Sequence, residues 1–317
     1  MVLLVVAALL APLQAQAQNG GLKLAIGDVG IGIGDVRRLD GVRLNIRDQN
    51  LERVRGLNVT LWAPRKGARG LVQGLAIGAP LTGAGTISGL TVGVGTGAEH
   101  DLSGFAVGVL GLGAGENLSG IALGGLGVGA GKSVRGIALG GIGAGSGEDL
   151  DGLSAGVIGV GAGRSVRGIV IGGIGAGAGE RVTGLAIGGV GVGAGSDISG
   201  IAIGGIGVGC GGHLTGLAIG GLGVGAPQLT GAAVGLFAGG REVTGLMIAP
   251  LHLKVDDGGA FSGLSLSAFN RIDGTQHGAT IGILNIAREL HGVQIGVLNI
   301  AYNKTTLPIL PLVNFSR

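Results

Sequence analysis

Residues Gly127 to Ser133 read GVGAGKS, a glycine-rich run closed by Lys and Ser that could cradle a phosphate. A loop of the form G-x-x-x-x-G-K-[ST] needs a glycine five residues before Gly131, and Leu126 stands there. Residues 159–165 fill the same slot with GVGAGRS, so the likeness is a product of repetition and nucleotide binding is not expected. The histidines are His100, His213, His252, His277 and His291, and only the last two stand one short repeat apart, each just before a glycine. They could lie on adjacent rungs, but a metal would want carboxylates beside them, and two exposed turn histidines are expected instead. Turn carboxylates such as Asp149 and Asp151 share no context with a nucleophile–base set and read as solvated corners. Cys210, the single cysteine, rules out an intramolecular disulfide framework and sits where neighbouring repeats carry Ala or Ser, as a small apolar filler. No catalytic, cofactor-binding or metal-ligating residue is assigned, and neither a cofactor nor a small-molecule substrate is expected.

Composition points the same way. Of 317 residues 77 are glycine, only 2% are aromatic and 12% are charged. An ordinary enzyme domain, with about 25% charge and about 7% glycine, looks different. Collagen is excluded because glycine does not recur every third residue and there are only 7 prolines. Disorder fits poorly, since 46% of the chain is hydrophobic and the glycines alternate with Ile, Leu and Val. Residues 22–72 carry ten Lys/Arg against five Asp/Glu, which leaves the rest of the +3 chain at −2. No arginine-rich run with interleaved aromatics accompanies that segment, so a nucleic-acid partner is not expected.

What positions every polar residue is a repeat. Gly104, Gly120, Gly136, Gly152, Gly168, Gly184, Gly200 and Gly216 are spaced by 16, with spacings of 14 or 15 on either side of that array. Residues 185–200, LAIGGVGVGAGSDISG, typify the unit. Numbered from the residue after the repeat glycine, bulky aliphatics fall at positions 1 and 3, then 6 and 8, then 14, with Gly or Ala at 2, 4, 7, 9 and 11. Period two is the strand signature, and five or more glycines per unit would each cost a helix about 1 kcal/mol. Corners are expected at the Gly-Gly of positions 4 and 5, at 11–13 where polar residues gather, and near the glycine at 16.

The expected fold is all-β: a thin two-sheet β-solenoid of about 16-residue coils with distinct caps, each strand pairing with the coil above and below. In this register the Ile, Leu and Val point inward and the outer faces are bare Gly and Ala, open to another copy, another sheet or lipid. Charges at the turn alternate in sign from repeat to repeat: Glu116, then Lys132 and Arg135, then Glu148, Asp149 and Asp151, then Arg164 and Arg167. One rung apart, they would attract. The alternation fades at Glu180, Arg181 and Asp197. A row of threonines on a flat sheet is not expected, Thr86, Thr183, Thr215, Thr230 and Thr244 being placed in turns. The competing architecture is a membrane-inserted β-sheet or barrel, because each repeat offers about 11 uncharged residues, the length of a transmembrane strand.

The ends differ from the array of residues 74–245. Residues 1–17 read as a signal peptide, an apolar run from Val2 to Leu13 followed by Ala15-x-Ala17. Residues 18–73 form a basic N-terminal cap of degenerate repeats with Arg43, Asn45 and Arg47 facing outward, and residues 246–317 a C-terminal set of repeats and cap. In the latter, GATIGILNIAREL (278–290) and GVQIGVLNIAYNK (292–304) repeat at 14, with Asn285 and Asn299 placed to stack as a ladder, before the closing PILPLVNFS. Over residues 274–315, and more weakly at 41–64, these segments resemble the G-[VL]-Q-I-G-L-[ILV]-N-x-A signature of the bacterial surface-repeat proteins first described in Leptospira. The resemblance implies an exported protein of the Gram-negative cell surface or outer membrane, with itself, cell-envelope components or the membrane as partners, and no catalytic residues to carry over.

Overall fold

The computed structural model describes residues 14–18, 20–62, 64 and 69–316. Residues 1–13 of the expected leader lie outside them; residues 14–17 belong to a first strand, Gln14–Gln18. The described residues fold as stacked coils of about 16 residues, about 15 turns in all, without a helix: a β-solenoid. Two compact units divide the chain, one running to Leu153 and the other from Ser154.

In both units, strands one repeat apart pair in parallel with residues 16 apart in register. Asn117–Gly124 meets Ser133–Gly140 in the first unit. Arg181–Gly188 meets Asp197–Gly204 in the second, and the short Gly191–Ala194 meets Gly207–Cys210. Transmembrane barrels are built of antiparallel strands, so this pairing replaces the barrel alternative. Antiparallel pairs occur only near the chain ends among the described pairings. Gln14–Gln18, Gly21–Ile26 and Val29–Gly34 form a meander, and Ile309–Phe315 runs back along Val293–Ile300.

Leu71–Ala84, Thr86–Ala98 and Asp101–Ala114 each run as one strand of 13 or 14 residues, and from Asn117 to Cys210 each coil contains an eight-residue strand and a four-residue strand. The longer one is bent at the repeat glycine. At Arg135, Gly136 and Ile137 three consecutive residues are exposed, which the two-residue alternation of a straight strand forbids. All eight glycines from Gly104 to Gly216 occupy this bend with φ between 108° and 120°, a region closed to L side chains. A Cβ on Gly184 would stand 2.2 Å from the carbonyl oxygen of Gly168 in the coil below. With further turns at positions 5–6 and 11–12, the coil acquires three straight edges: 13–15, 1–4 and 7–10.

The register of the core departs from the expectation at positions 1, 2, 3 and 6. Ala186, Val192 and Ile198, at positions 2, 8 and 14, are buried at 0%, 3% and 2% exposure. Leu185, Ile187 and Val190, at 1, 3 and 6, lie on the outside. Volume is the reason. A coil this small already holds a Val or Ala at 8 and an Ile, Leu or Val at 14, which in most coils leaves room at 2 for a methyl group. One coil exchanges the two, with Val170 at position 2 and Ala176 at position 8, both buried, so the enclosed volume is kept.

Towards the ends, the inward position 2 turns polar. Arg43, expected outside, is in register with Asn58 and fully buried. Its guanidinium donates to Asp48, to Asn58 Oδ1 at 3.1 Å and to Asp35 at 3.4 Å. In the C-terminal coils, Ser265 and Thr280 share that row, and a second polar ladder fills the interior. Asn270 Nδ2 donates to Asn285 Oδ1 at 2.8 Å, and Asn285 Nδ2 to Asn299 Oδ1 at 2.7 Å, all three side chains being fully buried. Replacing Asn285 by Ala leaves the Asn299 oxygen without its donor inside the coil. We expect a loss of about 2–3 kcal/mol in urea denaturation, and a variant as stable as the parent would show that the ladder contributes nothing.

Candidate interaction face

The outward positions 1, 3 and 6 form three parallel rows of large apolar side chains, most of them aliphatic. In the first unit they include Leu90, Phe105, Leu110, Leu126 and Ile142. In the second, Ile171, Ile174, Ile201, Ile206 and Leu222 continue the pattern, Ile201 at 42% and Ile206 at 50% exposure. Stacking one rung apart lets neighbours in a row cover one another's flanks and leaves the tips in water. Positions 1 to 9 of the coils between Leu75 and Gly240 carry no charged residue. The bare Gly surface expected on all outer faces is confined to the 7–10 edge, as at Gly191 and Gly193.

Charge collects on the edge at 12–15. Lys132 Nζ lies 2.7 Å from Glu116 Oε2, whose other oxygen is 3.2 Å from His100 Nδ1, so three successive coils are linked. The hydrogen bond from Lys132 holds the Glu116 carboxyl below the ordinary glutamate range and the ammonium above the ordinary lysine range. Arg135 approaches Asp151 at 3.9 Å, and Glu148, Asp149, Arg164 and Arg167 are likewise engaged. The alternation continues where the sequence suggested fading: Arg181 lies 3.5 Å from Asp197, which is 3.1 Å from His213. Exposed pairs of this kind each add little stability, and they define a hydrated edge.

Threonines expected in turns stand in strands. Thr183, Ser199, Thr215, Thr230, Thr244 and Ser262 are in register, one per coil, as a file of hydroxyls beside the repeat glycines. Thr86 likewise begins a strand, paired with Leu71. The β-branched side chain suits a straight edge better than a corner.

The candidates for chemistry are absorbed by the stack. In GVGAGKS, the backbone N–H of Gly131 donates to Ala114 and those of Lys132 and Ser133 to Glu116, so the donors that would cradle a phosphate are spent on the coil below. His277 and His291 do occupy adjacent coils, with stacked rings 5.4 Å apart. Among the described residues no group of three or more His, Cys, Asp or Glu could hold one metal ion. Cys210 is partly buried, and desolvation pushes its thiol above the ordinary range, away from the reactive thiolate. A recess of about 750 Å³ beside Gly223–Gly225 is lined by Pro227, Phe237, His252 and Lys254. Two of its polar side chains are engaged within the stack: Lys254 pairs with Asp256 at 3.2 Å and His252 Nδ1 meets the Phe269 carbonyl at 3.0 Å.

No protein-family model, curated protein or solved structure matches this chain. What the fold offers a partner is therefore read from its surface. The aliphatic rows are the feature that sequence reasoning placed on the wrong side. A signal for them was present in the Ala that recurs at position 2 between two bulky residues, since a methyl group fits the interior of a narrow coil and the side chains at 1 and 3 do not.

Proposed function

We propose that this is an exported, non-enzymatic repeat protein of the bacterial cell surface or outer membrane, with a structural or interaction role carried by its aliphatic face. The observation behind the reading is the run of rows at positions 1, 3 and 6, which exposes far more contiguous apolar surface than a free-standing soluble domain keeps in water. The leader-like start and the surface-repeat likeness of residues 274–315 support the address. Membrane insertion gains from the aliphatic chemistry of the face. It loses from the charged edge that most coils carry and from a filled interior without a lumen.

Cell fractionation of a bacterium expressing the chain tests the reading. The parent should be exported and retained with the envelope, whereas the double variant Ile201→Lys/Ile206→Lys should be exported and released. Thr215→Lys, on the hydroxyl file, should behave as the parent. A chain that stays in the cytosol, or retention indifferent to the face variant, would refute it.

A further inference from the structure

The occupant of the face can be narrowed, given the reading of it as the contact surface. Between Val157 and Leu266, fourteen large apolar side chains are exposed by more than a third, and all stand at positions 1, 3, 5 or 6. At about 70 Å² each they present on the order of 1,000 Å² of apolar surface. A stable interface takes about 800 Å² from each partner, and the largest apolar patch on a typical monomer is about 300–600 Å².

Three features favour protein over lipid. Elements that lie in a bilayer surface carry Trp and Tyr at the water boundary and a basic flank. This chain has one Trp and one Tyr. From Thr183 to Ser262 the file beside the face is hydroxyl, with Arg167 in register before it and His277 after it, and the charges beyond it are paired in sign, as in Arg181 with Asp197. Nor do the outward positions 1, 3 and 6 of the face carry hydrogen-bonding side chains to select a foreign protein, whose interface would ask for about one hydrogen bond per 100–200 Å². A surface that is flat, uncharged and repeated every rung matches best a surface of the same description, because aliphatic rows interdigitate between two sheets as they do in a sandwich.

We infer that the face of the Ser154–Arg317 unit is covered by the same face of a second copy of this chain. A two-fold pairing covers both faces at once and leaves each charged edge in water, whereas a head-to-tail contact would leave one apolar face bare at the end of every assembly.

The experiment is size exclusion with light scattering on the full chain in detergent-free buffer, together with flotation on phosphatidylcholine vesicles. The parent should elute at twice its 30.5 kDa chain mass and stay off the vesicles. Ile201→Lys/Ile206→Lys, checked by circular dichroism for the parent strand spectrum, should shift to the monomer mass, and Thr215→Lys should not. If that face variant loses its fold, Leu246→Lys/Leu264→Lys serves in its place, and the parent mass decides by itself. A monomeric parent at tens of micromolar overturns the pairing. If that monomer floats and the face variant does not, the face is a lipid surface and the contact reading of it survives. If it neither floats nor is retained by the envelope through the face, both fall. A face-dependent assembly larger than two overturns the two-fold form.

Discussion

Gly184→Ala should lose about 3–5 kcal/mol of unfolding free energy in urea, while Gly193→Ala, nine residues on, should stay within about 1 kcal/mol of the parent. Both replace a glycine in a strand of the same unit by the smallest side chain. They differ in what the backbone demands. Gly184 sits at φ 112°, where a Cβ is strained in any surroundings, and the added carbon would stand 2.2 Å from the Gly168 carbonyl. That oxygen belongs to the ladder and cannot retreat without opening the coil below, so the strain spreads to the next repeat. At Gly193 the nearest atom to a Cβ is 3.8 Å away, an ordinary contact, and the backbone is extended. Reduced freedom in the unfolded chain can even make that substitution slightly stabilising. Equal losses for the two variants would mean that the bend is not what requires glycine at the sixteenth position.

Ala186→Arg should abolish cooperative folding, at a cost of about 5 kcal/mol or more, whereas Ile187→Arg should change stability by no more than about 1 kcal/mol. Adjacent residues of one strand point to opposite sides. Ala186 is fully buried between the position-8 and position-14 side chains, where a guanidinium would meet only aliphatic carbon. Ile187 lies on the outer face, where the charge reaches water and only a partly exposed side chain is lost. The chain contains its own control in Arg43, which stands in the same inward row and is tolerated because Asp35, Asp48 and Asn58 receive its donors. The two variants thus rank the registers directly, since a core built from positions 1 and 3 would reverse their order. Thermal melts followed by strand ellipticity suffice to read the result.

Much of the architecture was legible without coordinates. The 16-residue spacing of Gly104 through Gly216, the alternation within LAIGGVGVG and the polar cluster at 11–13 together imply strands, corners and stacking, because each is a local property of the backbone or of neighbouring residues. The side-by-side placement of Glu116 with Lys132 and of Asn285 with Asn299 followed from the same period. The hydroxyl file is hidden in the sequence because Thr183 and Thr215 stand between the polar turn and the bend at the repeat glycine, where a residue next to a corner reads as part of it.

The repeat, the strand character and the sharing of a side, Leu185 with Ile187 and Ala186 with Gly188, are written in the order of the residues. Which of those sides is inside is set by the packing of the coil. Alternation is symmetric under exchange of the two faces, and hydrophobicity breaks the tie only when the interior is large enough to take the larger residues. Here the enclosed volume is fixed by a bend at every repeat glycine, and once Val192 and Ile198 occupy it, Ala186 fits and Leu185 does not. The apolar rows are on the surface because the coil is too narrow to contain them.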